Sequence, residues 1–199
     1  MESTPSGTRT LLRHPQSPAP WVEGVTVGVR RSTEGLLQLT YVLTGALEHL
    51  RIPAPGPIRR GERLWEHTCL EAFIGRPGEA GYHEFNFSPS RAWAIQDFRS
   101  YRERESDSAW VEPRLTVAVR GNSLILTVEL PLEKQAPGLG KAPLKLALAA
   151  VIEDEDGHKS YWALKHAPGR PDFHRPEAFT LDLPAPDAPA LNGIIGSLP

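Results

Sequence analysis

Cysteine and methionine are nearly absent from the 199-residue chain, which contains only Cys69 and Met1. A single cysteine excludes an intrachain disulfide framework and a zinc or iron-sulfur site built from several cysteines. It fits a reducing compartment. The first residues contain no long apolar stretch of the kind found in a secretory signal, so we expect a cytoplasmic protein.

An excess of charge of one sign and long apolar runs are also lacking. The 22 basic and 24 acidic residues give a formal net charge of −2, which creates no field that would attract nucleic acid or an anionic membrane. No segment approaches the roughly 18 to 20 consecutive apolar residues of a membrane-spanning helix. We therefore expect a soluble protein whose partner is a small molecule. Composition leaves its oligomeric state open.

Turn-forming residues are abundant, with 20 prolines and 17 glycines, and they separate short segments in which apolar residues recur at every second position. This pattern predicts many short strands and favours an antiparallel β-sandwich or jelly roll over a parallel α/β fold. The predicted strands lie at 25–30, 37–43, 64–74, 82–87, 92–98, 115–119, 124–130, 144–152, 160–164 and 179–183. We predict an extended or disordered lead over 1–20, one sandwich domain over 21–185 and a C-terminal tail over 186–199.

Side-chain alternation on two of these strands predicts a polar face. If Leu70, Ala72, Ile74, Phe85 and Phe87 point into the core, the opposite face carries Trp65, Glu71, Glu84 and Asn86. Carboxylates and an amide beside an indole are the groups that a saccharide site needs. The simpler interpretation is the solvated face of an antiparallel sheet, and a protein interface uses the same residue types.

The segment from Tyr161 to His174 passes from a strand into a loop that is rich in groups able to bind a ligand or titrate. It includes Trp162, Asp172 and His174. The alternative is that the polar groups bond to loop backbone while the aromatic rings pack beneath it.

The sequence gives weaker support for metal binding, phosphate binding and catalysis. The acidic stretch 153–157 lacks the spacing of a calcium-binding EF-hand loop, and no phosphate-binding glycine loop or serine-nucleophile elbow is present. His166 and His174 do not have a helical zinc-binding spacing. Glu71 with Glu84 could form the carboxylate pair of a glycoside hydrolase, which we retain as an alternative to a protein without catalytic residues.

Four segments of the chain carry a resemblance to a known family. They are Leu64-Trp65-Glu66-His67-Thr68-Cys69-Leu70-Glu71-Ala72-Phe73, Tyr82-His83-Glu84-Phe85-Asn86-Phe87-Ser88-Pro89-Ser90, Tyr161-Trp162-Ala163-Leu164 and Pro171-Asp172-Phe173-His174. With these segments, the chain resembles bacterial DOMON-like proteins related to family 9 carbohydrate-binding modules. The resemblance covers residues 64–174. It implies a β-sandwich or jelly roll that binds a sugar or, in other branches, heme. The positions that match the family are Trp65, Glu71, Glu84, Asn86, Trp93, Trp162, Asp172 and His174.

Two features depart from that family pattern. His67 stands where relatives tend to have an acidic residue, which puts a calcium contact there in doubt. DOMON cytochromes hold heme iron between a methionine and a histidine, and Met1 is the only methionine, although two histidines or a histidine with Lys165 would be an alternative pair. We therefore predict no metal and no cofactor.

Taken together, the residues and the resemblance predict a non-catalytic module for a small saccharide or similar polyhydroxylated ligand. Its site is predicted on the sheet face with Trp65, Glu71, Glu84 and Asn86, bordered by the loop with Asp172 and His174. The alternatives are a heme-binding domain and a protein-interaction domain.

Overall fold

Strands, nearly all of them antiparallel, are the dominant secondary structure of the computed structural model, which describes residues 7–106 and 110–186. In chain order, the strands are β1 (Thr8–Arg13), β2 (Val22–Arg31), β3 (Leu36–Gly45), β4 (Arg59–Arg60), β5 (Cys69–Gly75), β6 (Tyr82–Phe87), β7 (Ala92–Ser100), β8 (Glu103–Arg104), β9 (Arg114–Arg120), β10 (Ser123–Pro131), β11 (Leu144–Glu153), β12 (Lys159–Ala163) and β13 (Leu181–Leu183). One short α-helix, α1 (Leu132–Gln135), and 3-10 helices at Leu47–His49, Leu64–Glu66 and Pro176–Ala178 complete the described secondary structure. The protein is all-β, as predicted.

Hydrogen bonds join the strands into one continuous path in the order β4-β7-β6-β5-β11-β12-β1-β2-β3-β10-β9. In addition, β13 pairs with β11 and β8 pairs with β7. Only β4 and β7 run parallel among the described strand pairs. Within the described residues, no helix is both long and apolar enough to cross a membrane.

Strand β1 connects the two halves of this path. Its first residues, 8–11, pair with β2, whereas Leu12 and Arg13 pair with β12. Residues 8–13, which we expected to lie in an extended or disordered lead over 1–20, therefore belong to the sheet. Only Leu11 of β1 is buried, so its sequence lacks the alternation that reveals a strand. Residues 1–6 and 187–199 lie outside the described part of the chain, and so does most of the predicted tail.

The sheet curls around a single large core to which both halves contribute. Leu70, Ile74, Phe85 and Phe87, which were predicted to point into the core, are buried. Leu126, Val128, Leu146 and Leu148 of β10 and β11 are buried with them. The Tyr41 hydroxyl of β3 donates a 2.8 Å hydrogen bond to the carbonyl oxygen of Glu71 on β5, which joins the two halves across this core.

The strand predicted over 64–74 begins only at Cys69. Arg63 has a left-handed backbone conformation, with φ at 52°, and the chain then forms the 3-10 helix Leu64–Glu66 before it enters β5. Trp65 consequently reaches the sheet from a preceding turn and not from within the strand. The alternation of apolar residues does not distinguish a strand that includes Trp65 from a turn that precedes the strand, because both place Trp65 near Glu71.

A second, smaller apolar cluster lies on the outer face of β5, β6, β7, β11 and β12. Its buried members are Phe73, Tyr82, Phe98, Ala147, Ala149, Val151, Ala163, Phe173 and Ala178. Because Phe173 and Ala178 come from the segment after β12, this segment covers part of the outer face. The face predicted to be solvated is therefore partly enclosed.

Candidate functional site

Strand pairing places four polar side chains together on the outer face. Glu71 of β5 lies opposite Asn86 of β6, and Glu84 of β6 lies opposite Gln96 of β7. The alternate residues of the same strands point into the core, so this arrangement follows directly from the two-residue period of a strand. The sequence prediction that Glu71, Glu84 and Asn86 share one face is confirmed.

The outer face and the segment after β12 enclose a cavity of about 390 Å³, which we call the outer-face cavity. It is lined by Trp65, Glu71, Glu84, Gln96, Phe98, Arg102, Arg104, Val151, Tyr161, Pro171, Asp172, Phe173 and His174. Five predicted site residues are therefore brought together here: Trp65, Glu71, Glu84, Asp172 and His174. Asn86 is fully buried and does not line the cavity, but its side-chain amide contacts Glu84.

The two glutamates are much less accessible than we expected. Glu71 is 2% exposed and Glu84 is 4% exposed, whereas the sequence predicted an open and wet patch. Burial raises the pKa of Glu71 well above its ordinary value, and the nearby Glu84 charge is a smaller cause in the same direction. Burial also raises the pKa of Glu84, although the Asn86 hydrogen bond and the charges of Arg102 and Arg104 partly oppose this effect.

The hydrogen bonds of the two acids are unequal. Oε1 of Glu84 accepts a 2.8 Å hydrogen bond from the Asn86 amide, while Oε1 of Glu71 is buried with no hydrogen-bond partner among the described residues. A buried polar atom without a partner costs about 1–3 kcal/mol. The floor of the cavity therefore includes a carboxyl group with one buried oxygen that no described group satisfies.

A chain of polar groups leads from the turn after β7 to Glu84. The backbone N–H of Arg102 donates to the Tyr82 hydroxyl, which lies 2.8 Å from Nδ1 of His174. Nε2 of His174 lies 3.7 Å from Oε2 of Glu84. The Tyr82 oxygen accepts a hydrogen bond from Arg102, and a Tyr82 hydroxyl that donates to Nδ1 would leave the N–H of the neutral imidazole on Nε2, on the Glu84 side.

Asp172 fastens the covering segment to the sheet. Its carboxylate accepts hydrogen bonds from the Tyr101 hydroxyl at 2.6 Å and from the Arg102 guanidinium at 2.9 Å. It also accepts the backbone N–H of His174 at 3.1 Å. Burial disfavours the Asp172 charge, but the bonds from Tyr101 and Arg102 outweigh it and lower the pKa. Asp172 therefore serves as an ionised anchor for this segment.

Several lining residues were not predicted from the sequence. Gln96 and Phe98 follow from the same alternation extended to β7, where Trp93 and Ile95 face the core. Tyr161 and Phe173 lie in the loop segment that the sequence indicated, but we did not assign them to the site. Arg102 and Arg104 come from the turn and short strand after β7, and no periodic pattern identifies them.

Trp93 and Trp162 do not line the outer-face cavity. Both are buried in the main core, because Trp93 pairs with core-facing Phe87 and Trp162 pairs with core-facing Ala150. The indole N–H of Trp162 donates to Ser160 at 3.0 Å. The alternation therefore places Tyr161, and not Trp162, at the cavity wall, which corrects the expected placement of both tryptophans.

His67 also lies away from this cavity. Its Nδ1 is 2.7 Å from the buried carboxylate of Glu153, and it lines a separate cavity of about 490 Å³. Within the described residues, the one metal-sized grouping of histidine, cysteine and acidic side chains is Asp154, Asp156 and His158 at the β11–β12 turn. Oδ1 of Asp154 already accepts the backbone N–H groups of Asp156 and His158, as an ordinary turn residue does.

Comparison with known proteins gives a fold relationship. No protein-family model matches the chain, and no curated protein matches it. The fold is similar to the crystal structure of a protein from Bacteroides uniformis that is proposed to bind carbohydrate, with a TM-score of 0.62 over 87% of this chain and 84% of the other. The two sequences are 20% identical, so the likeness establishes a shared fold.

Proposed function

We propose that the protein is a non-catalytic module that binds a small saccharide or a similar polyhydroxylated ligand in the outer-face cavity. The observation that carries this proposal is the unpartnered Oε1 of Glu71 on the floor of an aromatic-lined cavity. Stability alone does not explain a buried acid without a partner, because an apolar side chain would fill the same position at lower cost. The fold neighbour from Bacteroides uniformis adds support of a coarser kind.

The lining combines the two properties that sugar recognition requires. Trp65 is 37% exposed beside the cavity, and Tyr161 and Phe173 add further ring surface for the C–H faces of a sugar. Glu71, Glu84 and Gln96 offer acceptors and donors at fixed positions on a rigid sheet. A hydroxyl-rich ligand would fit this mixture better than a wholly apolar one.

We further propose that the curled sheet is a jelly-roll type of β-sandwich, as the resemblance to DOMON-like proteins and family 9 modules implies. The single core between the two halves of the sheet supports this assignment. A heme-binding role has less support, because His174 is the only histidine among the described residues that line the cavity, and both of its ring nitrogens face polar partners.

Calorimetric titration of the full chain against monosaccharides and disaccharides tests the proposal. We expect saturable binding that Glu84→Gln weakens by at least tenfold, because the variant keeps the shape and loses the ionisable group. Glu48→Gln, an exposed glutamate outside the cavity, serves as the matched control and should bind like the wild type. If no sugar in the panel binds, the proposed function is wrong.

The hydrolase alternative needs its own assay. Incubation with chromogenic aryl glycosides at pH 5 and pH 7 should give no release of the aryl group above the level measured with Glu71→Gln. A rate that depends on both glutamates would instead identify them as the carboxylate pair of a glycoside hydrolase.

A further inference from the structure

The positive charges around the outer-face cavity are unevenly distributed with respect to its two buried acids. Arg102 forms an ion pair with Asp172 at 2.9 Å. The positive charges of Arg102 and Arg104 each lower the pKa of Glu84. The pKa of Glu71 is shifted by its burial and by the Glu84 charge. Among the described residues, the charged group that acts most strongly on Glu71 is therefore another acid.

We propose that the ligand is a saccharide carrying a free amino group, whose ammonium binds between Glu71 and the neighbouring Glu84. This inference rests on the proposed function and narrows its ligand class. It is carried by the pairing register that places the two acids diagonally on adjacent strands of the outer face, by the buried and unpartnered Oε1 of Glu71 and by the aromatic walls of the cavity.

An ammonium satisfies this site more completely than a hydroxyl does. It donates three hydrogen bonds from one compact group, and its charge offsets the repulsion between two neighbouring carboxylates. A hydroxyl would occupy one acceptor and bring no charge to stabilise the ionised form of Glu71. Aromatic faces such as those of Trp65 and Tyr161 also attract a cation.

A metal cation is a poorer candidate for the same position. Glu71, Glu84 and His174 do not bring three ligand atoms within 4.8 Å of one another, whereas Asp154, Asp156 and His158 do so elsewhere in the described chain. His174 also directs its Nδ1 to Tyr82. The geometry thus favours a hydrogen-bonding cation over a coordinated one.

The binding step has a defined proton balance. In the free protein, burial and the Glu84 charge keep a proton on Glu71 to a higher pH than an exposed glutamate retains it. The bound ammonium stabilises the ionised form, so the Glu71 proton is released to the buffer while the amine stays protonated. No covalent bond forms or breaks apart from this O–H bond.

The test compares each amino sugar with the neutral sugar from which it differs by one group. Glucosamine, galactosamine and mannosamine are titrated calorimetrically against glucose, galactose and mannose at pH 7, with N-acetylglucosamine as a bulky uncharged amine derivative. Phosphate and HEPES are used as buffers of different ionisation enthalpy. Tris is avoided because it is itself a polyhydroxylated amine.

At least one amino sugar should bind tenfold or more tightly than both its neutral parent and the N-acetyl form. The difference in apparent enthalpy between the two buffers should report proton release. Glu71→Gln should remove the preference for the amine and the proton release, and Glu48→Gln should retain both. Circular dichroism and thermal denaturation check that the variants are folded, and Glu84→Gln provides a second site variant.

The outcomes separate the two proposals. If neutral sugars bind as tightly as their amino counterparts, the amine inference is overturned and the saccharide proposal stands. If amino sugars bind more tightly than neutral sugars without proton release, and Glu71→Gln keeps this preference, the amine binds elsewhere. This result would also overturn the inference. Absence of binding by every sugar would overturn both.

Discussion

Nε2 of His174 lies 3.7 Å from Oε2 of Glu84, yet burial and then the charge of Arg102 lower the pKa of His174 to about 4. Asp172 partly opposes this shift. The imidazole is therefore neutral at physiological pH and packs as a ring, with its centroid 5.1 Å from those of both Phe73 and Phe98. Its role in the free protein is to hold the covering segment against the outer face.

The first prediction concerns the pH dependence of stability through His174. The unfolded pKa of histidine is 6.5 and the folded value is about 4, so the unfolded state binds more protons between these limits. The contribution of His174 to stability is present above pH 6.5 and is lost as the pH falls toward 4. His174→Gln should show a smaller loss between pH 7 and pH 4 than the wild type, measured by chemical denaturation.

Proton NMR provides the matching control on the same residue. The His174 ring resonances should titrate near pH 4. A His174 midpoint above 6 would contradict the assignment of a neutral, buried imidazole.

The second prediction is that the buried Glu71 carboxyl group lowers the free energy of unfolding at neutral pH while it contributes to ligand binding. Its folded pKa is raised, so the native state retains a proton that the unfolded chain releases above about pH 4.5. The pH dependence that Glu71 adds is therefore opposite in sign to that of His174. The contribution of Glu71 to the free energy of unfolding is most favourable below pH 4.5 and decreases as the pH rises toward the folded pKa. Glu71→Gln should be more stable than the wild type at pH 8 while losing ligand affinity.

Scanning calorimetry from pH 4.5 to pH 8 measures this difference. For a chain of this size, each 1 kcal/mol corresponds to about 2–4 °C in Tm. The gain in Tm should grow with pH and be smallest at pH 4.5. Destabilisation by Glu71→Gln across the whole range would indicate a structural role for the carboxyl group and none in binding.

The third prediction separates the tryptophans by position. Trp65→Ala removes a ring that is 37% exposed at the cavity, so sugar affinity should fall at least tenfold and the free energy of unfolding should change by less than about 1 kcal/mol. Trp93→Ala and Trp162→Ala each empty a core position and should destabilise by about 3–5 kcal/mol. Urea denaturation together with sugar titration distinguishes the two patterns.

The fourth prediction concerns the anchor made by Asp172. Asp172→Asn weakens the charge-assisted bonds to Tyr101 and Arg102, so the segment around His174 should open more often. Amide hydrogen exchange should increase over residues 164–175 and stay unchanged in the β3–β10 pair. An exchange pattern identical to that of the wild type would show that this carboxylate does not hold the segment in place.

Much of the strand framework was determined locally by the sequence. Leu70, Ala72 and Ile74 alternate with Glu71 and Phe73 along β5, and this period fixes which side chains share a face in any antiparallel sheet. The same alternation on β6 then brings Glu84 and Asn86 beside Glu71. For this reason, the polar floor of the cavity could be predicted without coordinates.

The enclosure of that floor was decided only by the tertiary structure. Burial of Glu71 depends on residues about 100 positions away, where Phe173 and His174 fold over the outer face, and no local pattern encodes such a contact. The strand β1 was missed for the same reason, since its pairing with β2 and β12 holds residues that are mostly exposed. Alternation determines the direction of a side chain relative to its sheet, whereas burial and pKa depend on what the rest of the chain places over it.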